Sequence, residues 1–221
     1  MRKRMRKRNA VSVVATAVLA ATAASGTPTA AAGPRTVRGP VEFSVKVVSV
    51  NGSGCPVHTV WADAWPEKES FRVVYSEYLA QAGGSSRPID SRKQCQVAVQ
   101  VNFPQDVTYA VSSSDHQGFA HLESGASATV KVGHYIQGQP WDGAVTHNLN
   151  GAYDDIWRFT HRLPADQLVF RPCGEDRNTV LITELRVDKG TSDPSKTSYI
   201  AMDAVGEGVW TTYHLTWKSC P

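Results

Sequence analysis

The chain has 221 residues, 41% hydrophobic and 19% charged, with 23 Lys and Arg against 20 Asp and Glu. That length and apolar content suit a packed core and exclude a weakly hydrophobic disordered polymer. Six of the cations stand in the first eight residues, where no acid occurs, so the rest carries 17 cations against 20 acids, a net charge of −3. The basic balance belongs to the N-terminus and gives no ground for nucleic-acid binding.

The basic head, Arg2 to Arg8, is followed by an Ala- and Val-rich run from Ala10 to Ala24, broken only by Ser12, Thr16 and Thr22. A positive head, a short apolar run and then small residues is the order of a secretory signal peptide. The run is too short and too rich in alanine for a permanent membrane anchor. Small-x-small cleavage sites stand at Ala21-Thr22-Ala23 and Ala30-Ala31-Ala32. The reading is a signal peptide over 1–32, with an alternative cut after residue 23. A flexible Gly- and Pro-rich leader follows over 33–40, and one secreted domain over 41–221.

From Val41 the apolar period is two, as in a half-buried strand. Val41, Phe43, Val45 and Val47 share a face, and the phase then shifts to Val48 and Val50, which predicts a β-bulge. Asn51-Gly52-Ser53-Gly54 reads as a turn. Phe71 to Ala82 fits either a helix face or β-branched and aromatic strand composition; its neighbours favour strand. Cys95, Val97, Val99, Val101 and Phe103 form the clearest alternation, ended by Pro104. Val107, Tyr109 and Val111 follow, then a polar turn at Ser112 to Asp115. Ala126 to Val132, Val180 to Val187, Tyr199 to Val205 and Val209 to Trp217 complete the strands. Turn signals every 10–15 residues indicate an all-β chain, a single antiparallel β-sandwich or jelly-roll-like domain.

Cys55, Cys95, Cys173 and Cys220 are even in number and lie beyond the leader, which in an exported chain reads as two disulfides. Three pairings are open; one bridge in each half, Cys55–Cys95 and Cys173–Cys220, is favoured. Either loop then spans about 40 to 50 residues, worth about 4 kcal/mol in chain entropy.

Four fragments, Gly52-Ser53-Gly54-Cys55-Pro56, Arg92-Lys93-Gln94-Cys95, Asp115-His116-Gln117-Gly118 and Pro172-Cys173-Gly174, stand in an order and spacing that resemble a family of secreted proteins from fungi and actinobacteria, domain of unknown function 4360. The resemblance covers Val41 to Pro221. It implies export and a four-cysteine β domain, and it supplies no catalytic residues.

Searching for chemistry directly yields little. No Gly-x-Ser-x-Gly elbow and no His-Glu-x-x-His occurs. His116 and His121, read as flanking a hairpin beside Asp115, are outweighed as metal ligands by a solvated hairpin. Asp154-Asp155 reads as a polar loop, with calcium the lesser alternative. No cofactor is expected. The six tryptophans are the better lead, because flat aromatic rings serve extracellular sandwiches as platforms for sugars. Trp61 and Trp65 are four apart, hence on one side of a strand, and Trp141 sits in a loop-like Pro-Trp-Asp-Gly sequence; Trp217 alternates with the core. These residues favour a non-catalytic module that binds extracellular polysaccharide or a cell wall. A hydrolase of unrecognised type and a secreted protease inhibitor or effector are the rivals.

Overall fold

The computed structural model describes residues 35–141, 143–202 and 210–221. The stretch read as a signal peptide, both candidate cleavage sites and the stretch around Val205 and Val209 lie outside them. The strands are β1 (Thr36–Val37), β2 (Ser44–Asn51), β3 (Val60–Trp65), β4 (Ser70–Tyr75), β5 (Leu79–Gly83), β6 (Arg92–Asn102), β7 (Val107–Leu122), β8 (Ser127–Ile136), β9 (Val145–Asn150), β10 (Tyr153–Arg162), β11 (Thr179–Asp188), β12 (Thr197–Ala201) and β13 (Thr211–Ser219). All lie in the unit Gly33–Pro221. Five form one antiparallel sheet, in the order β2-β6-β11-β8-β9. Eight form a larger one, β3-β4-β13-β7-β12-β5, with β1 added to β13 and β10 to β7. Among the described residues no helix is long and apolar enough to cross a membrane.

The all-β, two-sheet expectation is met, and the reason lies in the alternation. Val97, Val99 and Val101 of β6 are buried, while Gln94, Gln96 and Asn102 turn outward. Val130 and Val132 on β8 and Leu181 and Leu185 on β11 do the same from neighbouring strands. Each such side chain contributes about 1.5–3 kcal/mol on leaving water. Trp217 stands at the centre of one end of the core, its ring centroid 5.6, 5.1 and 5.6 Å from those of Phe43, Phe103 and Tyr109. Phe71 to Ala82 is strand, split between β4 and β5. The bulge expected at Val48 is present: β2 slips against β6 between Val47 and Ser49, but Val48 is itself turned out, 49% exposed, and Val41, expected on the strand face, lies ahead of β2 at 92% exposed. Within the stretch read as a flexible leader, Thr36 and Val37 pair with Lys218 and Trp217.

Three expectations are corrected. Ser112 to Asp115 is no turn, for β7 runs unbroken from Val107 to Leu122. Its partner β13 slips between His214, opposite Ser113, and Leu215, opposite Val111. Ser112 is the extra residue at that bulge, and the core-facing set changes phase from Tyr109 and Val111 to Ser114, His116, Gly118, Ala120 and Leu122. Second, His116 and His121 share this one strand. Being five apart, they face opposite sides, so they cannot serve one ion. Third, Asp154 and Asp155 are not in a loop; they open β10.

Both disulfides form as favoured, Cys55–Cys95 and Cys173–Cys220, with Cα–Cα distances of 5.4 and 5.9 Å. The first ties the β2–β3 connection to β6 inside the core. Gly52 makes that turn with φ +132°, and a Cβ there would fall 2.2 Å from the Gln94 carbonyl oxygen, beside Cys95. The second ties the chain before β11 to the end of β13.

Candidate ligand-binding face

Residues of five strands line up across the outer face of the larger sheet. Asp63 on β3 stands opposite Arg72 on β4, Arg72 opposite Thr212 on β13, Thr212 opposite Asp115 on β7, and Asp115 opposite Thr160 on β10. Four strand spacings make this row about 19 Å long.

At its β3 end the row is aromatic. Trp61, 48% exposed, and Trp65 flank Asp63 on the same side of β3. Arg72 lies with its guanidinium 4.5 Å from the Trp65 ring and 5.1 Å from the ring of Trp210, which leads into β13. Its Nη2 also reaches Asp63 Oδ2 at 3.3 Å. An arginine held on two indoles and a carboxylate loses most of its rotamer freedom before any ligand arrives.

Beyond Trp210 the face opens into a groove of about 410 Å³, walled by Trp210 and Thr212 on one side and Arg158 and Thr160 on the other, with Asp115 and Gln117 along its floor. The floor is hydrogen-bonded in place. Thr160 Oγ1 donates to Asp115 Oδ1 at 2.5 Å, His214 Nε2 lies 2.7 Å from Asp115 Oδ2, and Arg158 Nε donates to Gln117 Oε1 at 3.2 Å. Partial burial works to raise the Asp115 carboxyl. The hydrogen bonds from Thr160 and His214, with the charges of His214 and Arg162, outweigh it and hold Asp115 below the usual carboxylate range. Further along β7, Phe119 and His121 pack beside Tyr199 of β12, and His121 meets Asp154 at 3.1 Å.

This arrangement presents flat rings, fixed donors and fixed acceptors over an extended surface. Asp115 bonds both His214 and Thr160, so the Thr160 hydroxyl donates to the carboxylate and not to the imidazole. Among the described residues no three His, Cys, Asp or Glu side chains are grouped to hold a metal ion. Trp141 is not part of this face. It follows β8 in the other sheet, 47% exposed, its ring 5.9 Å from that of Tyr135.

Arg72 and the β7–β10 residues escaped sequence reasoning, and Trp210 counts among the six tryptophans without being given a place. The signal of the strand residues is faint, since each occupies the polar phase of a strand and looks like ordinary solvated surface. The Asp115-His116-Gln117-Gly118 fragment is the exception, for it supplies the groove floor.

A curated relative from Arthroderma benhamiae, described as an uncharacterized secreted protein, is 24% identical over 181 residues, covering 82% of this chain and 73% of its own. A family description, "Domain of unknown function (DUF4360)", matches residues 41–220. That span takes in β2 through β13, both disulfides and every residue of the groove, and the chain belongs to this family.

Proposed function

We propose that the protein is a secreted, non-catalytic module that holds an extracellular polymer, a cell-wall polysaccharide, against the outer face of its larger sheet. The observation that carries this reading is the row from Trp61 and Trp65 through Arg72 and Trp210 to the Asp115–Thr160 floor. Aromatic faces cover the apolar faces of sugar rings, while carboxylate, amide and guanidinium groups bond hydroxyls in a planar, directional way. The length and openness of the row fit a chain better than a small molecule, which is normally enclosed on most sides. The leader supports export, and the two disulfides suit an oxidising compartment.

The test is depletion of the purified protein from solution by insoluble cellulose, chitin, peptidoglycan and whole cell walls. The expected result is specific depletion by one of these, reduced at least tenfold in affinity by Trp61→Ala or Trp210→Ala, and unchanged by Trp141→Ala. No depletion by any of them overturns the reading, as does equal loss in the Trp141→Ala variant.

A further inference from the structure

Four histidines, one from each of four strands, point into the space between the sheets. His116 on β7 is 2% exposed. His161 on β10 shares its strand face with Trp157 and Phe159, His134 on β8 with Val130, Val132 and Ile136, and His147 on β9 with Leu149. Phe159 stacks on both His116 and His147, at centroid distances of 5.0 and 3.7 Å. His134 and His161 meet at a cavity of about 40 Å³, with Ile136, Gln167 and Val169.

These rings are set to be neutral. His116 Nε2 lies 2.8 Å from Ser114 Oγ, but its Nδ1 has no partner, nor does His147 Nε2. Burying a ring nitrogen without a partner already costs its hydration, and a proton placed on it costs more, since it makes a buried charge and a donor without an acceptor. The facing groups give no relief. Against His116 stand His161 from β10, His147 from β9, His134 from β8, and the neutral Tyr213 phenol ring from β13. The one acid that acts on it, Asp115, lies on the other face of β7 and is already bonded to Thr160 and His214. Against His134 stand His161 and the Val111 carbonyl. His161 and His147 face each other. Burial, then mutual repulsion, pushes His116 down to about 3 and His134 down to about 4, the Val111 carbonyl partly opposing at His134. Burial lowers His147, and burial with repulsion from His147 lowers His161.

We propose that this cluster is an acid-sensitive latch: proton uptake by the four rings parts β8–β9 from β7–β10 and so unmakes the groove on the opposite face of β7 and β10. Strand alternation makes the connection. Asp115 and Gln117 are the chain neighbours of His116, and Thr160 stands between Phe159 and His161, so the inner rings cannot shift without moving the floor and wall outside. The latch stands on the histidines alone; its effect on a ligand rests on the groove being the binding surface.

The direction follows from linkage. A histidine whose folded value is depressed takes its proton first in the opened state, so opening becomes more favourable as pH falls below about 6.5, by up to tenfold per unit per ring, until the folded value is reached. Carboxylates held low by partners, Asp115 and Glu184 among them, lose their contribution only below about pH 4. The interval from pH 6.5 to 4.5 therefore belongs to the histidines.

Hydrogen exchange of the whole protein at pH 7 and pH 5, corrected for intrinsic rates, tests the latch. Protection of the β9 and β10 amides should fall at least tenfold while the β2 and β6 amides change less than threefold, and the His134→Gln/His161→Gln double variant, which keeps His116 and His147, should show a fall several-fold smaller than wild type. Uniform change, or none, overturns the proposal. Should that variant not fold, ring titration by NMR decides instead: His116 and His134 protonating near pH 6.5 in the intact wild type would sink it. Polymer depletion at both pH values separates the two readings. No binding at pH 7 removes the groove and leaves the exchange result to judge the latch. Equal binding at pH 5, with β9 and β10 opened, removes the connection between them.

Discussion

The two disulfides close loops of 40 and 47 residues. In the chain-entropy account each restricts the unfolded ensemble by about 4 kcal/mol, because the dependence on loop length is logarithmic. By that argument alone, the variants Cys55→Ala/Cys95→Ala and Cys173→Ala/Cys220→Ala lose the same stability. The folded state separates them. Cys55 and Cys95 are each 2% exposed and belong to the core, whereas Cys173 is exposed and Cys220 half-buried. Removing two buried sulfurs adds a cavity penalty of about 1–2 kcal/mol, so the first variant should lose about 5–6 kcal/mol and the second about 4. For a domain of this size those losses lower Tm by about 10–24 °C and about 8–16 °C. Urea unfolding of wild type and both variants measures the difference directly. Intact mass after alkylation verifies that no free thiol is present before reduction and that Cys173 and Cys220 label first under mild reductant. The reasoning is refuted if the core pair proves the less costly to remove, or if Cys55 and Cys95 are alkylated first.

Two further outcomes follow from single positions. Gly118→Ala places a Cβ 1.9 Å from the Ala201 carbonyl oxygen and 2.5 Å from Trp157 Cζ2; neither backbone nor buried indole can yield, so the variant should lose about 2–3 kcal/mol in urea unfolding, and a loss under 0.5 kcal/mol would contradict the packing. Asp115 contributes stability that is complete above the unfolded carboxylate value and disappears as pH falls through its lower folded value. Asp115→Asn should therefore show a shallower fall in Tm than wild type between pH 4 and pH 2; parallel curves would mean that the carboxylate is not held by Thr160 and His214.

How far the sequence could be read depended on where each strand put its apolar residues. β6 was legible because Val97, Val99 and Val101 alternate without interruption. The β2 bulge was legible because Val47 and Val50, three apart, can share the inward face only if one residue between them is extra, although it is Val48 that the bulge leaves outside, 49% exposed. β7 was not, because its outward residues at Ser112, Ser113 and Asp115 have turn composition, and because the bulge at Ser112 moves the inward phase onto Ser114, His116 and Gly118, none of them apolar. Once a strand's buried positions are serine, histidine and glycine, hydrophobic periodicity carries no signal. The aromatic row was half legible. Trp61 and Trp65 could be placed on one strand face by spacing alone, while Arg72 and Trp210 reach them through the β3–β4 and β4–β13 pairings, contacts between residues up to 138 positions apart in the Arg72–Trp210 case.

That same unreadable stretch is where the chemistry concentrates. An all-valine β7 and β10 would pack the sheets more securely, since each buried histidine gives up hydration that an aliphatic side chain does not have to lose. What the histidines add is a dependence on protons that valine cannot provide. It is confined to one side of the sandwich, for β2 and β6 face the core with Val45, Val47, Val97, Val99 and Val101 and carry no inward histidine. The Cys55–Cys95 bridge reinforces that valine-lined side, joining the β2–β3 connection to β6. A molecule built only for rigidity would distribute its core evenly. This one sets a stapled, aliphatic half against a half lined by His116, His134, His147 and His161, and it is the second half whose strands bear the groove.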